Sequence, residues 1–146
     1  MVTEDSQQAS PLISIVMAVY NADRFLAETL DSVFRQEYRP IEVIVTDDGS
    51  TDKTLEVIRI YPEVLCFSLP HQGDAAARNH GLAKARGDFV AMVDGDDLWE
   101  PHKLRTQLTY LQEHPGVMLC TARVQYFLSP GCEVPTGYRR KQHLFE

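Results

Sequence analysis

The sequence predicts an α/β protein with an open, mostly parallel, doubly wound sheet and helices on both faces. Five apolar runs rich in valine and isoleucine occur at 12–19, 41–47, 64–69, 89–94 and 117–127. Such runs are typical of strands buried on both faces of a parallel sheet. Amphipathic segments separate the runs with short connections, and this alternation indicates right-handed crossovers between parallel strands.

Four helices are predicted because apolar residues recur between the strands at three- and four-residue spacing. The first is expected at about 22–36, the second after Asp52, the third at about 74–86 and the fourth from about Glu100. The third is rich in alanine, which predicts close packing on the sheet. The inward-facing residues are expected to be Ala22, Phe25, Leu26, Leu30, Val33, Phe34, Leu55, Ile58, Ala75, Ala76, Leu82, Ala85, Leu104, Leu108 and Leu111.

The length of 146 residues corresponds to one domain. We expect a polar leader at 1–10, a folded domain at 11–127 and an irregular tail at 128–146. Proline and glycine punctuate this tail, which has no core-forming period. The chain therefore reads as a fold that stops before it is complete, with the tail as the start of a further part.

Composition and charge exclude several classes of function. The net charge of −7 disfavours a nucleic-acid partner. No apolar run approaches the roughly 20 residues of a transmembrane helix, and no secretory leader is recognisable. Cys66, Cys120 and Cys132 have no CxxC spacing, which argues against a disulfide framework or a zinc site. We expect a cytoplasmic protein; the basic cluster at 139–141 fits either a solvated tail or peripheral contact with the inner face of a membrane.

Acidic residues collect where the predicted strands end. The second run ends in Asp47 and Asp48, and the fourth leads into Asp94, Asp96 and Asp97. The carboxyl ends of parallel strands share one edge of the sheet, where ligands of such folds bind. Crowded carboxylates repel one another unless a cation neutralises them. Hard oxygen ligands of this kind suit Mg²⁺ or Mn²⁺, and a nucleotide diphosphate bridged by such a cation fits an acidic site.

Each of these segments also has a structural interpretation. Asp48-Gly49 is a turn dipeptide, and the residues at 50–52 fit caps of the second helix. Asp97 fits a capping role, although three carboxylates in four residues exceed what capping needs. Tyr20 fits a half-buried aromatic at a strand end or a stacking surface for a base. His71 fits an exposed surface position or an approach to the nucleotide.

Five segments together resemble the ordered signature of family 2 glycosyltransferases, which have the Rossmann-like GT-A fold. The segments are 13–21, 44–52, 73–82, 85–88 and 93–97, followed by Pro101 and Leu104. The resemblance runs from about 11 to 127 and is specific because order and spacing both match. It implies metal-dependent, inverting transfer of a sugar from a nucleotide-diphosphate sugar to the hydroxyl of an unidentified acceptor, with UDP-sugar as the favoured donor.

The resemblance also implies roles for individual residues. Tyr20 resembles the position that packs on the nucleobase, and Asp47 or Asp48 resembles the one that hydrogen-bonds the base. The pair Arg78 and Asn79 resembles the Arg-Asn pair that lines the nucleotide pocket. Asp94 and Asp96 resemble the ends of the DxD motif, with Asp94 near the ribose and diphosphate and Asp96 as the metal ligand, for either Mn²⁺ or Mg²⁺. Asp97 resembles the extra acid often found beside this motif.

The family carries its general base in a later, acceptor-binding half. That half is missing from this sequence or only begun at 128–146, so we assign no catalytic base. Apolar surface left where the second half would dock predicts a homo-oligomer. The alternative function is a non-catalytic module that binds a nucleotide sugar without transferring it.

Two other classes of enzyme fit the sequence less well. A dinucleotide oxidoreductase needs a glycine-rich turn after the first strand, and the segment at 20–23 has no glycine. A phosphoryl-transfer enzyme can use an Asp-x-Asp pair such as Asp94 and Asp96 as nucleophile and acid. The sequence shows no lysine and hydroxyl clamp for phosphate to accompany that pair.

Overall fold

A computed structural model describes residues 10–127 of the chain. The predicted tail at 128–146 and positions 1–9 of the predicted leader lie outside these residues, as do Cys132 and the basic cluster. The elements are β1 (Ile13–Val19), α1 (Leu26–Phe34), β2 (Ile41–Asp47), α2 (Thr54–Ile58), β3 (Val64–Ser68), α3 (Asp74–Lys84), β4 (Phe89–Met92) and α4 (Lys103–Glu113).

The four strands form one parallel sheet in the order β3-β2-β1-β4. In the central pair, Ile13 lies opposite Ile41, and Val19 lies opposite Asp47. The chain moves outward from β1 through β2 to β3 and then returns past β1 to place β4 on the other side. This confirms the predicted fold class. The strand order reverses between β1 and β4, and a ligand-binding crevice is expected beside the carboxyl ends of such strands.

Helices cover the sheet on both faces. On one face, α3 packs so closely that a Cβ built on Gly81 would lie 2.7 Å from Cγ1 of Val16, which confirms the predicted close packing. Right-handed crossovers place α1 and α2 on the opposite face, because the chain progresses in the opposite direction there. The backbone N–H of Trp99 donates to Oγ of Ser32 at 3.1 Å, so the segment before α4 runs along α1.

Three details of the sequence prediction are wrong. The apolar run at 117–127 forms no strand in the described structure, because a strand requires a hydrogen-bonded neighbour and none of the ladders of β1–β4 includes this segment. Helix α1 begins at Leu26 rather than 22, because 22–25 form a turn. In α3, Ala77 and Gly81 face inward, whereas Ala75 is exposed.

The chain divides into two compact units, Met1–Thr106 and Gln107–Glu146, with the boundary inside α4. The sheet and all residues at its carboxyl edge belong to the first unit. In the second, the Gln107 side chain donates to the carbonyl of Cys120 at 3.2 Å. No helix within residues 10–127 is long and apolar enough to cross a membrane.

Candidate functional site

The loop after β1 is held against the loop after β2 by hydrogen bonds between polar side chains and backbone. Asn21 adopts a left-handed conformation with φ of 50°, which asparagine tolerates better than most residues. Its N–H donates to Oγ of Ser50 at 2.9 Å, and its Oδ1 accepts the N–H of Thr51 at 2.8 Å. Ser50 and Thr51 therefore hold the loop after β1 against this edge of the sheet, and neither side chain caps α2, so their interpretation as helix caps is wrong.

Asp48 organises the loop that follows β3. Its buried carboxylate accepts the N–H of Gln72 and that of Gly73, each at 2.8 Å, and lies 2.8 Å from Nδ1 of His71. The hydrogen bond from Gln72 is the largest influence on the pKa of Asp48 and holds it below its usual range, with further lowering from Gly73 and His71. Asp48 is therefore ionised at neutral pH and fixes the backbone at 71–73.

The aromatic rings of Tyr20 and His71 stack on each other near the ends of β1 and β3. The ring of Tyr20 stacks on that of His71, with centroids 4.3 Å apart and planes inclined by 27°. Tyr20 remains 47% exposed. A half-exposed, oriented ring is the kind of surface on which a planar base packs.

One cation lies between two acids at the start of α3. Nε of Arg78 donates to Asp74 at 2.7 Å, and its terminal nitrogen donates to Asp94 at 2.6 Å. The hydrogen bond with Asp74, followed by the charge of Asp94, raises the pKa of Arg78. The guanidinium is fixed in position and fully charged.

The loop after β4 carries acidic side chains whose negative charges have few positively charged or hydrogen-bonding partners. In the described part of the chain, no side chain pairs with the carboxylate of Asp96. The pKa of Asp97 is raised, first by partial desolvation of its carboxyl and then by the charges of Asp94 and Asp96, although the residue as a whole is exposed. These neighbouring charges make the loop a favourable place for a cation.

Two cavities open at this edge of the sheet. The smaller, of about 170 Å³, is lined by Tyr20, Asp48, His71 and Asp74 together with Ala18 and Val19. The larger, of about 430 Å³, shares part of this lining and continues past Arg78 to Asp94 and Asp96. A flat aromatic end thus continues into a charged end within one unit of the chain.

The structure brings most of the predicted site residues together. Tyr20, Asp48, Arg78, Asp94 and Asp96 line one or both cavities. Asp47 is buried and accepts hydrogen bonds from Ser68 and the N–H of Ser50, so it does not line either cavity. Asn79 follows Arg78 on α3 but is exposed and outside both linings.

Asp74 and His71 contribute more than the sequence analysis indicated. Asp74 lines both cavities and pairs with Arg78, a contact that its four-residue spacing on α3 could have suggested. His71 lies against Asp48 and Tyr20. Only its position after β3 pointed to the site, because ring stacking depends on tertiary structure.

Among the described residues, no three His, Cys, Asp or Glu side chains converge to hold a metal ion. Asp96 and Asp94 nevertheless offer the hard oxygen atoms that Mg²⁺ and Mn²⁺ prefer, and these ions commonly complete their coordination with water and phosphate oxygens. The donor set therefore fits a cation that is shared with a phosphate-bearing ligand.

The parallel sheet and the cavities at its topological switch point define the class as a Rossmann-like α/β domain of the GT-A type. The profile of Glycosyl transferase family 2 matches residues 14–141. The chain is also 44% identical over 113 residues to an uncharacterized glycosyltransferase of Haemophilus influenzae, covering 74% of this chain and 45% of the relative. The chain belongs to glycosyltransferase family 2, as its sequence motifs predicted.

Solved structures agree with this assignment. S. aureus TarS in complex with UDP is similar with a TM-score of 0.67 and 31% identity, over 70% of this chain and 32% of that chain. A mannosyltransferase of Pyrobaculum calidifontis, in complex with GDP-Man and Mn²⁺, is similar with a TM-score of 0.64 and 28% identity. The match covers 71% of this chain and 33% of that chain. The chain thus spans less than half the length of these relatives.

Proposed function

We propose that this chain forms the donor-binding part of a glycosyltransferase that takes its sugar from a nucleotide-diphosphate sugar. The observation that carries the proposal is the continuous pair of cavities, aromatic at Tyr20 and charged at Arg78, Asp94 and Asp96. The similar structures contain UDP or GDP-Man, which supports a nucleotide sugar as the ligand. UDP-sugar is our favoured donor.

In this proposal, the base lies at the aromatic end with Tyr20 and Asp48, and the diphosphate reaches the charged end. Arg78 is already aligned by Asp74 and Asp94, so it offers an oriented positive charge to phosphate oxygens. Asp47 has a structural role behind this surface. Asn79 stays a predicted nucleotide-binding residue, although it is exposed and outside both linings.

Asp96, assisted by Asp94, would hold Mn²⁺ or Mg²⁺ jointly with the diphosphate. When bound, the cation stabilises the negative charge that develops on the departing nucleoside diphosphate. Because Asp94 also pairs with Arg78, we assign Asp96 the main part in metal binding. Weak metal affinity is expected in the absence of nucleotide, since few protein ligands converge there.

The inverting reaction needs a base on the acceptor hydroxyl, and no described residue is assigned to that role. The acceptor is unidentified. The predicted domain bounds of 11–127, the homo-oligomer and a cytoplasmic or membrane-peripheral location also stay predictions of the sequence. A module that binds the nucleotide sugar without turnover is the alternative, and it shares every residue of the site.

Calorimetric titration of UDP and GDP, with Mn²⁺ or with a chelator, tests the proposal. We expect metal-dependent binding that Asp96→Ala weakens by about a hundredfold, corresponding to roughly 2.7 kcal/mol. Asp88→Ala is the matched control, because its carboxylate accepts the N–H of Leu12 at the opposite edge of the sheet. Absence of nucleotide binding by the folded wild-type chain would contradict the proposal.

A further inference from the structure

We propose that Ser32 and Gln36 are positioning residues for the cation site at Asp94 and Asp96. Ser32 lies on α1 and Gln36 follows the end of that helix. Neither residue lines either of the two cavities, so both act on the loop after β4 through the backbone that follows it. The inference rests on the proposed function, because it concerns the same loop. It gives a role at the diphosphate end to a helix whose sequence predicts only packing on the sheet.

The side chain of Gln36 holds the segment that leads into α4. Its Nε2 donates to the carbonyl of Glu100 at 2.7 Å and to that of Ser32 at 3.3 Å. Its Oε1 accepts the N–H of Leu104 at 3.1 Å, one of the amide groups that the first turn of a helix leaves without an intrahelical partner. Gln36 is only 3% exposed, and a buried polar side chain is costly unless it is hydrogen-bonded. The amide is thus committed to fixing the backbone between Glu100 and Leu104.

Ser32 holds the same segment one step closer to the loop after β4. Its Oγ accepts the N–H of Trp99 at 3.1 Å and donates to the carbonyl of Thr29 at 2.7 Å. Ser32 is 1% exposed. Alanine differs from serine only by this oxygen, so the contribution that is specific to Ser32 is this pair of hydrogen bonds.

These contacts anchor one end of the loop after β4, and the sheet anchors the other end. On the strand side, the N–H of Val93 donates to the carbonyl of Val16 in β1 at 3.2 Å. On the helix side, the first anchor is the hydrogen bond between Trp99 and Ser32. Only residues 94–98 lie between the two anchors, so the position of either end determines the path of the acidic segment.

The backbone between the anchors has little room to adjust. A Cβ built on Gly95 would lie 3.0 Å from Cγ1 of Val19, so the loop passes close to the end of β1. The N–H of Asp97 donates to the carbonyl of Asp94 at 3.1 Å and closes a turn. This turn presents Asp94 and Asp96 to the larger cavity, which both residues line. Loss of the anchors at 99–104 releases one end of the turn and leaves the two carboxylates chemically unchanged.

A cation site depends on such anchoring more than the aromatic end does. Mg²⁺ demands near-ideal octahedral geometry, and groups that orient metal ligands typically change metal affinity by about 10–100-fold. The loops around Tyr20 and His71 are held by separate contacts with Ser50 and Asp48. We therefore expect the two anchoring residues to affect the metal-dependent part of nucleotide binding and to leave the metal-independent part unchanged.

The test measures UDP binding by Ser32→Ala, Gln36→Leu and the control Val33→Ala, each with Mn²⁺ and with a chelator. Val33 is fully buried beside Ser32, so its truncation lowers stability but retains both polar anchors. Gln36→Leu should reduce the gain in UDP affinity on addition of Mn²⁺ by about tenfold, and Ser32→Ala should reduce it by about threefold. In the chelator, all three variants should bind UDP as the wild-type chain does.

The single tryptophan of the chain provides a second measurement, which a loss of stability alone does not change. Trp99 carries the N–H that Ser32 accepts, so time-resolved fluorescence anisotropy reports the local motion of this segment. Local motion should increase in Ser32→Ala and Gln36→Leu, and it should keep the wild-type value in Val33→Ala. Urea unfolding establishes that each variant is folded before binding is compared, and Ser32→Ala alone decides the test if Gln36→Leu does not fold.

An unchanged Mn²⁺ gain in both anchor variants would overturn the inference. An equal loss of the gain in Val33→Ala would also overturn it, since the effect would then follow from stability. Failure of the proposed function gives a different result: the wild-type chain then binds no UDP or gains nothing from Mn²⁺, or Asp96→Ala retains the whole gain.

Discussion

At the amino ends of the strands, both oxygens of the Glu42 carboxylate accept hydrogen bonds. At the carboxyl ends, Asp94 shares Arg78 with Asp74, and Asp96 lines a cavity. Oε1 of Glu42 accepts the hydroxyl of Ser14 at 2.6 Å and the N–H of Arg86 at 2.7 Å. Oε2 accepts the Arg86 side chain at 2.8 and 3.1 Å. Both edges belong to one sheet, but they use acidic residues for different purposes.

The electrostatic consequences of the two arrangements are opposite. Burial by itself would raise the pKa of Glu42, but the hydrogen bonds from Ser14 and Arg86 outweigh it and lower the pKa. The pKa of Asp97 is raised instead. A carboxylate with complete partners stabilises the fold, while uncompensated acids beside a cavity are relieved by a cation or ligand. We therefore expect Glu42 to serve the stability of the fold, and we expect Asp94 and Asp96 to serve ligand binding.

The largest effect on stability is expected from Glu42→Ala. The substitution leaves the Ser14 hydroxyl and the Arg86 N–H without their acceptor, which should lower the free energy of unfolding by about 2–3 kcal/mol. UDP affinity should change by less than about twofold, as this carboxylate lies at the opposite edge from the cavities. Urea unfolding and UDP titration measure the two effects, with exposed Glu28→Ala as control. Unchanged stability would contradict a structural role.

A smaller effect, and one on binding, is expected from Arg78→Ala. Arg78 is the only cationic side chain among the described residues that line the larger cavity, beside Asp74, Asp94 and Asp96. Its removal should weaken UDP by about tenfold, or roughly 1.4 kcal/mol. Stability should fall by no more than about 0.5 kcal/mol, because exposed ion pairs contribute little. The control is Arg59→Ala, and equal UDP affinity in both variants would argue against a diphosphate at Arg78.

The smallest effect is expected from Asp97→Asn, and the size of this effect depends on pH. Since folding raises the pKa of Asp97, the folded chain binds more protons than the unfolded chain between the two pKa values, and stability decreases as pH rises there. Removing the charge should therefore increase stability at neutral pH by about 0.5 kcal/mol or less, because solvent screens an exposed carboxylate.

The gain should vanish below about pH 4, the ordinary range for aspartate, where Asp97 is protonated in both states. Asp88→Asn should have the opposite sign at neutral pH, because it weakens the hydrogen bond with the N–H of Leu12. Unfolding measured across this pH range separates the two variants. Destabilisation by Asp97→Asn at neutral pH would contradict the raised pKa of Asp97.

Much of the fold could be predicted because its buried strands appear in the sequence as apolar runs of recognisable length. The run at 117–127 has similar composition but forms no strand, since strand formation depends on a partner that composition does not reveal. The inward face of α3 was also misjudged. Several small residues compete for that face, and the one that fits closest to Val16 is Gly81, which has no side chain to mark it.

For the site, order and spacing were enough to place Tyr20, Asp48, Arg78, Asp94 and Asp96 at one edge. The sequence could not show which of Asp47 and Asp48 lines the cavity. Adjacent residues at a strand end point to opposite sides of the sheet, and only the packed structure shows which side holds the cavity. The contacts of His71 also depend on tertiary structure, namely on how the loop after β3 folds back over Asp48.

Amide hydrogen exchange, with and without UDP and Mn²⁺, tests the division between the two edges most directly. We predict increased protection at 20–22, 48–50, 71–74 and 94–97 when both are present, with no change at 12–14, 40–42 and 86–88. Protection confined to the amino edge, or none at saturating UDP and Mn²⁺, would contradict the conclusion that the carboxyl edge is the nucleotide-binding edge.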